Sequence, residues 1–236
     1  MAQLVIDIET IGENFDEMDG TTKEVLTHWI KNTSKNDEEY EKSLKDIKEG
    51  LGFSPLTGQI VAIGILDAEK GNGAVYFQSP DIVVQEFSEN NIKYVPLSEK
   101  GILERFWEIS RKYDQFITFN GRCFDIPYIV IRSAVHKIRP SKDLMSNRYL
   151  NSQRNGAQHI DLYDQLSFYG AVRTKGSLHL WCRALGITSP KAQGVTGDDV
   201  AALFRNKQYL DIARYNVGDL YATRDLLKYW EKYMKF

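Results

Sequence analysis

The chain has 236 residues, 42% of them apolar and 12% aromatic, enough to bury a full core as one domain. Thirty Lys and Arg against 32 Asp and Glu leave a net charge of −2, so no general attraction to nucleic acid follows from charge alone. The longest apolar runs fall far short of the ~20 residues a membrane span needs, and Cys123 and Cys182 stand far apart without a CxxC, so neither zinc nor a disulfide framework is suggested. The N-terminus lacks a basic-then-apolar signal pattern, and a reducing, cytoplasmic setting is expected.

In chain order, Leu4–Ile8 reads as a short apolar strand. Residues 11–52 then carry two amphipathic patterns, Thr22–Lys31 and Asp37–Glu49, rich in Glu and Lys. They hold too few large apolar residues for a core of their own, so they predict a helical insertion lying over the sheet. Gln59–Leu66 is a β-branched strand, Glu69–Gly73 a hairpin turn, and Ala74–Gln78 the returning strand. Ser98 can cap a helix running to about Lys112, with Ile102, Phe106, Trp107 and Ile109 on its apolar face. Gln115–Phe119 predicts a fourth strand, Asp125–His136 a helix and Gln158–Leu162 a fifth strand. Helical patterns follow at Ser177–Leu185, Asp198–Arg205 and Tyr209–Met234. Strands, then strand–helix alternation, then helices make an α/β layered domain over residues 1–236.

The charge is unevenly spread. Residues 11–50 hold eleven acids and six bases, whereas 136–175 hold seven bases (Lys137, Arg139, Lys142, Arg148, Arg154, Arg173, Lys175) and three acids. The second segment reads either as a phosphate-facing surface or as an ordinary solvated loop.

Three segments concentrate chemistry. In Val-Ile-Asp-Ile-Glu-Thr, Asp7 and Glu9 leave one face of the strand while Leu4, Ile6 and Ile8 leave the other, although polar alternation on a half-buried strand is common. In Phe-Asn-Gly-Arg-Cys-Phe-Asp-Ile-Pro-Tyr, Asp125 stands two residues before Pro127, where a helix cap explains it as well as a ligand role does. Its neighbours Asn120, Arg122 and Phe124 supply an amide, a phosphate-pairing cation and a ring able to stack on a base. In Tyr-Asn-Val-Gly-Asp, Tyr215 and Asp219 are four apart on a helix and share a face, as a packing contact also would. Asp161 reads as the cap of the helix after the fifth strand in preference to a supporting group of the site. If Asp7, Glu9, Asp125 and Asp219 converge, each like-charge pair about 4 Å apart costs roughly 4 kcal/mol at an effective dielectric of about 20. Cations must then offset the repulsion, and hard oxygen donors select Mg²⁺ or Mn²⁺. Two such ions are machinery for in-line attack on a phosphodiester.

Taken together and in order, D-x-E, N-x-x-x-F-D-x-P-Y and Y-x-x-x-D resemble the tyrosine-bearing subclass of the DEDD 3′→5′ exonucleases. The wording is most similar to the proofreading domain of family B DNA polymerases and to freestanding predicted exonucleases of that type. Leu-Thr-Gly-Gln-Ile-Val-Ala-Ile-Gly at 56–64 adds to the likeness. The resemblance implies a ribonuclease H-like fold, a mixed five-stranded sheet with its second strand antiparallel, flanked by helices and carrying the insertion after strand 1. It implies that Asp7, Glu9, Asp125 and Asp219 hold two Mg²⁺ or Mn²⁺ ions and that Tyr215 orients the attacking water. Thr10, Asn120 and Phe124 are expected to contact the terminal nucleotide and Arg122 a phosphate. The implied substrate is the 3′ end of single-stranded nucleic acid, DNA favoured over RNA, although no 2′-hydroxyl reader is identifiable. With no polymerase module in the sequence, a freestanding trimmer or a subunit in trans is expected, with a protein partner in replication or repair. A nucleic-acid-binding pseudo-nuclease would lack at least one carboxylate, and all are present; an RNA-trimming exoribonuclease is the other alternative.

Overall fold

Alternating apolar residues open the chain as a strand buried on both faces, the centre of a mixed sheet in a computed structural model that describes residues 1–173, 176–189 and 197–235. This strand, β1, runs from Gln3 to Gly12 and is longer than expected because it continues past a bulge between Glu9 and Thr10. It pairs antiparallel with β2 (Gly58–Asp67), which pairs antiparallel with β3 (Gly73–Phe77) across the expected hairpin. On its other side β1 pairs parallel with a strand at Gln115–Thr118, itself parallel to one at Gln158–Asp161.

The five strands expected from the sequence are all present, but the sheet has seven. Phe87–Glu89 forms β4 and Ile92–Pro96 forms β5, so the two strands named above are β6 and β7, and the order is β4-β5-β3-β2-β1-β6-β7. The extra pair is a two-residue hairpin whose turn residues, Asn90 and Asn91, both have positive φ (50° and 65°), as a twist-matched tight turn requires. Phe87 stacks on Tyr94 with ring centroids 4.7 Å apart, and β5 adds in parallel to the edge of β3. Three- and five-residue strands are too short to show a period, which is why composition did not reveal them.

Helices cover both faces. On one, α3 (Glu99–Ser110) and α4 (Asp125–Val135) pack Ile102, Phe106, Trp107, Ile126 and Ile129 against Leu4, Ile6, Ile8 and Phe116. Ser98 caps α3, accepting from the Gly101 N–H at 3.3 Å. On the other face lie α5 (Leu162–Leu166), α6 (Leu178–Leu185), α7 (Val200–Arg205) and the long α8 (Tyr209–Tyr233). There Ile212, Leu220, Leu226 and Trp230 bury against Val5, Val61, Leu66 and Ile117. Between β1 and β2, α1 (Gly20–Thr33) and α2 (Asp37–Gly50) form the expected helical segment. It is lightly packed: α1 buries only Thr27 and Ile30, and α2 buries none of its residues. It returns through a 3-10 turn, Leu51–Phe53, where Gly12 and Gly52 press together so closely that a Cβ on Gly52 would sit 2.9 Å from the Gly12 nitrogen.

Candidate active site

Asp7 and Glu9 share a face of β1 with Val5, the face covered by α8. Helix α8 brings Tyr215, Asn216 and Asp219 to them on one turn, since positions three and four apart lie on the same side. Carboxylate oxygens of Asp7, Glu9 and Asp219 lie within 4.8 Å of one another. Burial raises the Asp7 and Glu9 carboxyls well above the usual range, and repulsion from Asp219 pushes both further. Tyr215, buried, donates to Asp219; burial and then the charge of Asp219 raise its phenol, so it holds its proton at neutral pH.

Asp125 stands beside this group. It is the first residue of α4, not its cap, and its Oδ1 accepts from the Ile8 N–H at 3.2 Å. Burial raises its carboxyl to about 7, with Asp161 and Asp219 adding like charge. Repulsion from Asp125 is felt by both Asp7 and Glu9, so all four carboxylates share one electrostatic field while three of them share the tight cluster.

The turn that carries Asn120, Arg122 and Phe124 is built by Asp161. Its Oδ1 accepts from the N–H of Asn120 (2.8 Å) and of Tyr163 (3.0 Å), and its Oδ2 from that of Arg122 (2.9 Å). Asp161 is thus the cap of α5, as expected, and also the clasp of the β6–α4 turn. Asn120 takes a left-handed conformation there (φ 64°), which Asn tolerates better than most residues. Arg122 Nη1 is buried with no hydrogen-bond partner among the described residues. Phe124 packs edge-on to Phe53, centroids 6.4 Å apart, and against Tyr128 at 5.5 Å. Thr10 Oγ1 donates to the Gly52 carbonyl at 2.8 Å, tying β1 to the 3-10 turn, and the Tyr128 hydroxyl donates to the same carbonyl at 3.1 Å.

These elements border a cleft of about 680 Å³ lined by Glu9, Thr10, Glu49, Phe53, Phe124 and Arg205, among others. The helical segment after β1 forms one wall and α7 another. The cleft lining carries an acidic excess, Glu9, Glu13, Asp46 and Glu49 against Lys48 and Arg205. Phe53 is 66% exposed on this wall, a ring the sequence reading did not single out.

Asn216 was missed as well. It is fully buried, its Nδ2 donates to Asp7 Oδ2 at 2.7 Å and to Glu9 Oε1 at 3.4 Å, and its Oδ1 has no hydrogen-bond partner among the described residues. Such an orphaned oxygen costs about 1–3 kcal/mol and is usually retained for a reason. The available signal was its place between Tyr215 and Asp219 on one helical turn. The basic segment at 136–175 divides. Lys142 donates to the Tyr113 and Gly156 carbonyls, and Arg148 clamps the buried Asp164 with Nη2 at 2.5 Å, so both serve the fold; Lys175 lies outside the described residues. Among the described residues no helix is long and apolar enough to cross a membrane.

Residues 55–233 match a family described as "Predicted 3'-5' exonuclease related to the exonuclease domain of PolB". Among curated proteins, DNA polymerase 1 of Sulfolobus acidocaldarius is 30% identical over 178 residues, covering 71% of this chain and 20% of the polymerase. DNA polymerase 1 of Sulfurisphaera ohwakuensis is 25% identical over 182 residues, with the same coverages. The chain therefore spans about a fifth of the length of these relatives. Among solved structures, the family B DNA polymerase of Pyrobaculum calidifontis superposes with a TM-score of 0.59 over 98% of this chain and 24% of that one, at 14% identity, a likeness of fold.

Proposed function

The chain belongs to the family of predicted 3′→5′ exonucleases related to the exonuclease domain of PolB, and from that premise we propose a metal-dependent enzyme that releases nucleoside 5′-monophosphates one at a time from the 3′ end of single-stranded nucleic acid, DNA favoured over RNA. We read residues 1–236 as one exonuclease domain carrying a helical insertion at 11–52. The order β3-β2-β1-β6-β7 with an antiparallel β2 supports a ribonuclease H-like core. The observation that carries the reading is the convergence of Asp7, Glu9 and Asp219 on one point. Carboxylates this close together, with the pKa values of Asp7 and Glu9 strongly raised by burial and by one another's charge, fit a hard divalent ion. Asp7, Glu9 and Asp219 would hold Mg²⁺ or Mn²⁺, with Asp125, released from Ile8, completing a two-ion set. When bound, such ions supply an acidified water and charge stabilisation at the leaving oxygen.

The chain's own groups do the rest. Tyr215 keeps its proton, so its hydroxyl orients a water by hydrogen bonding and does not deprotonate it. Phe124, with Phe53 beside it, offers ring surface to the terminal base, worth roughly 1–3 kcal/mol per stacked base. That gain is open to an unpaired end, because a paired base is already stacked and its release costs a few kcal/mol. Thr10 borders the same space, whereas Asn120 and Arg122 sit on the adjoining β6–α4 turn, where Asn120 is the candidate contact to the terminal nucleotide and Arg122, with one guanidinium nitrogen unpartnered, the candidate cation for a phosphate. The acidic wall of the cleft makes cation binding a precondition for any polyphosphate chain to enter.

The test is 5′-labelled single-stranded DNA and RNA side by side with Mg²⁺, with Mn²⁺ and with EDTA. A descending ladder that stops in EDTA is expected, with little cutting of blunt duplex. Undiminished hydrolysis in chelator, or cuts in a circular single strand, would overturn the reading.

A further inference from the structure

Two acidic side chains two residues apart on a strand leave the same face, but that alone does not fix where their carboxylates point. Each has freedom about its side-chain torsions, and mutual repulsion favours their divergence. What holds Asp7 and Glu9 together is a neutral group between them. Asn216 offers two N–H donors from one amide nitrogen, and it spends them on Asp7 Oδ2 and Glu9 Oε1. With both acids ionised, as cation binding requires, the amide must present its nitrogen, since its oxygen would face only acceptors. One oxygen of each acid is thereby engaged by the same amide, which keeps the two carboxylates side by side.

The opposite end of the same amide explains a residue on another strand. Asp7 sits across from Gly64 in the β1–β2 register. Asn216 Oδ1 projects into the space a side chain at 64 would fill: a Cβ there would fall inside the van der Waals envelope of that oxygen, 3.0 Å from Asn216 Cγ and 2.7 Å from Leu220 Cδ1. The φ of Gly64 is not in the positive range, so its backbone does not demand glycine. The demand is spatial, and it comes from α8.

We propose that Asn216 is a positioning residue that aligns Asp7 and Glu9 for cation binding, and that position 64 is confined to glycine because it is the slot into which Asn216 Oδ1 fits. The proposal rests on the exonuclease reading only in taking these acids as cation ligands. It acts on metal affinity, before any chemistry on a nucleic acid.

The experiment measures Mn²⁺ binding by calorimetry and by the loss of the free-ion paramagnetic resonance signal, together with melting in EDTA, on the full chain. Asn216→Ala is expected to stay folded and to bind Mn²⁺ about 10–100-fold more weakly, as for other groups that orient metal ligands. Gly64→Ala drives the amide off the acids and should lose both melting temperature and affinity. In the double variant Gly64→Ala/Asn216→Ala the overlap with the amide is gone and only the flexible end of Leu220 must give, so melting temperature should recover toward that of Asn216→Ala while Mn²⁺ affinity stays low. Recovery of affinity in the double variant would show that packing and not the amide matters, and would overturn the proposal. Wild-type affinity in Asn216→Ala, or no saturable Mn²⁺ binding by the unaltered chain, would overturn it too. Should Gly64→Ala fail to fold, Asn216→Ala alone decides. A chain that binds Mn²⁺ through Asn216-aligned acids yet leaves end-labelled DNA and RNA intact would defeat the exonuclease reading and leave this one standing.

Discussion

Two groups of buried or half-buried acids lie at the same end of the sheet, one under α8 and one at the β6–β7 edge, and they are wired oppositely. At the edge each acid is matched: Asp161 accepts from three backbone N–H groups, and Asp164 is clamped by Arg148. Under α8, Asp7, Glu9 and Asp219 mainly face one another, relieved by the neutral amide of Asn216 and the phenol of Tyr215. The same side chain therefore builds a turn in one place and stores repulsion in the other. Asp125 stands between these extremes, holding one backbone N–H while feeling Asp161 and Asp219. Burial and residue type alone do not distinguish a ligand from a strut; the donors around it do.

The contrast breaks most sharply in activity. Replacing Asp219 or Asp7 with Ala removes a cluster acid, and nuclease activity should drop by more than the ~100-fold upper range seen for groups that merely orient ligands. Tyr215→Phe keeps the ring and loses the hydroxyl, so a smaller but clear loss in kcat is expected with Mn²⁺ affinity nearly retained. Wild-type turnover in either aspartate variant would move that residue out of the site.

In stability the two groups should respond with opposite sign. Asp161→Ala leaves three partly buried N–H groups without their acceptor, and charged hydrogen bonds are worth about 1.5–3 kcal/mol each, so a net loss of roughly 3 kcal/mol is expected after relaxation and partial rehydration. Glu9→Gln instead removes one like charge, and in EDTA at pH 8 it should raise stability by up to about 2 kcal/mol, half the Coulomb cost of one such contact. Denaturant titration of both variants decides; destabilisation by Glu9→Gln in chelator would mean that the cluster is not strained.

Much of this contrast is legible in the amino-acid sequence. Period-2 alternation placed Asp7 and Glu9 on one face, and helical spacing placed Tyr215 with Asp219, because both rest on local geometry that neighbours do not alter. The cap role of Asp161 was legible from its place after a strand, but its grip on Asn120 and Arg122 was not, because those partners arrive from 39 and 41 residues away. Asn216 escaped for the same reason: an asparagine on a helix declares nothing until β1 and Gly64 are set against it. The β4–β5 pair escaped because it is too short for a period, although Asn90-Asn91 was a turn signal. The 136–175 bases looked alike in sequence, and only the fold separates Arg148, bound to Asp164, from cations left for solvent or substrate.

The smallest effect concerns pH without metal. Asp125 has its carboxyl raised from 3.8 to about 7, and Asp7 and Glu9 are raised as well. A carboxyl with a higher pKa in the folded state keeps its proton where the unfolded chain has lost it. The unfolded state then binds fewer protons, so stability falls as pH rises, by about 1.4 kcal/mol per pH unit for each excess proton. The stabilisation is fully present below about pH 4 and, for Asp125, is lost as pH climbs through about 7. For a chain of this size that amounts to roughly 3 °C per pH unit in melting temperature. In EDTA, melting should therefore drop from pH 5 to pH 8, the reverse of what acids held below their ordinary pKa by cationic partners would produce. Mg²⁺ or Mn²⁺ should flatten or invert that slope, because ions bind the ionised form and their affinity grows as protons leave. A melting temperature that rises with pH in chelator would show that the acids under α8 are matched after all, and the distinction between the two groups would collapse.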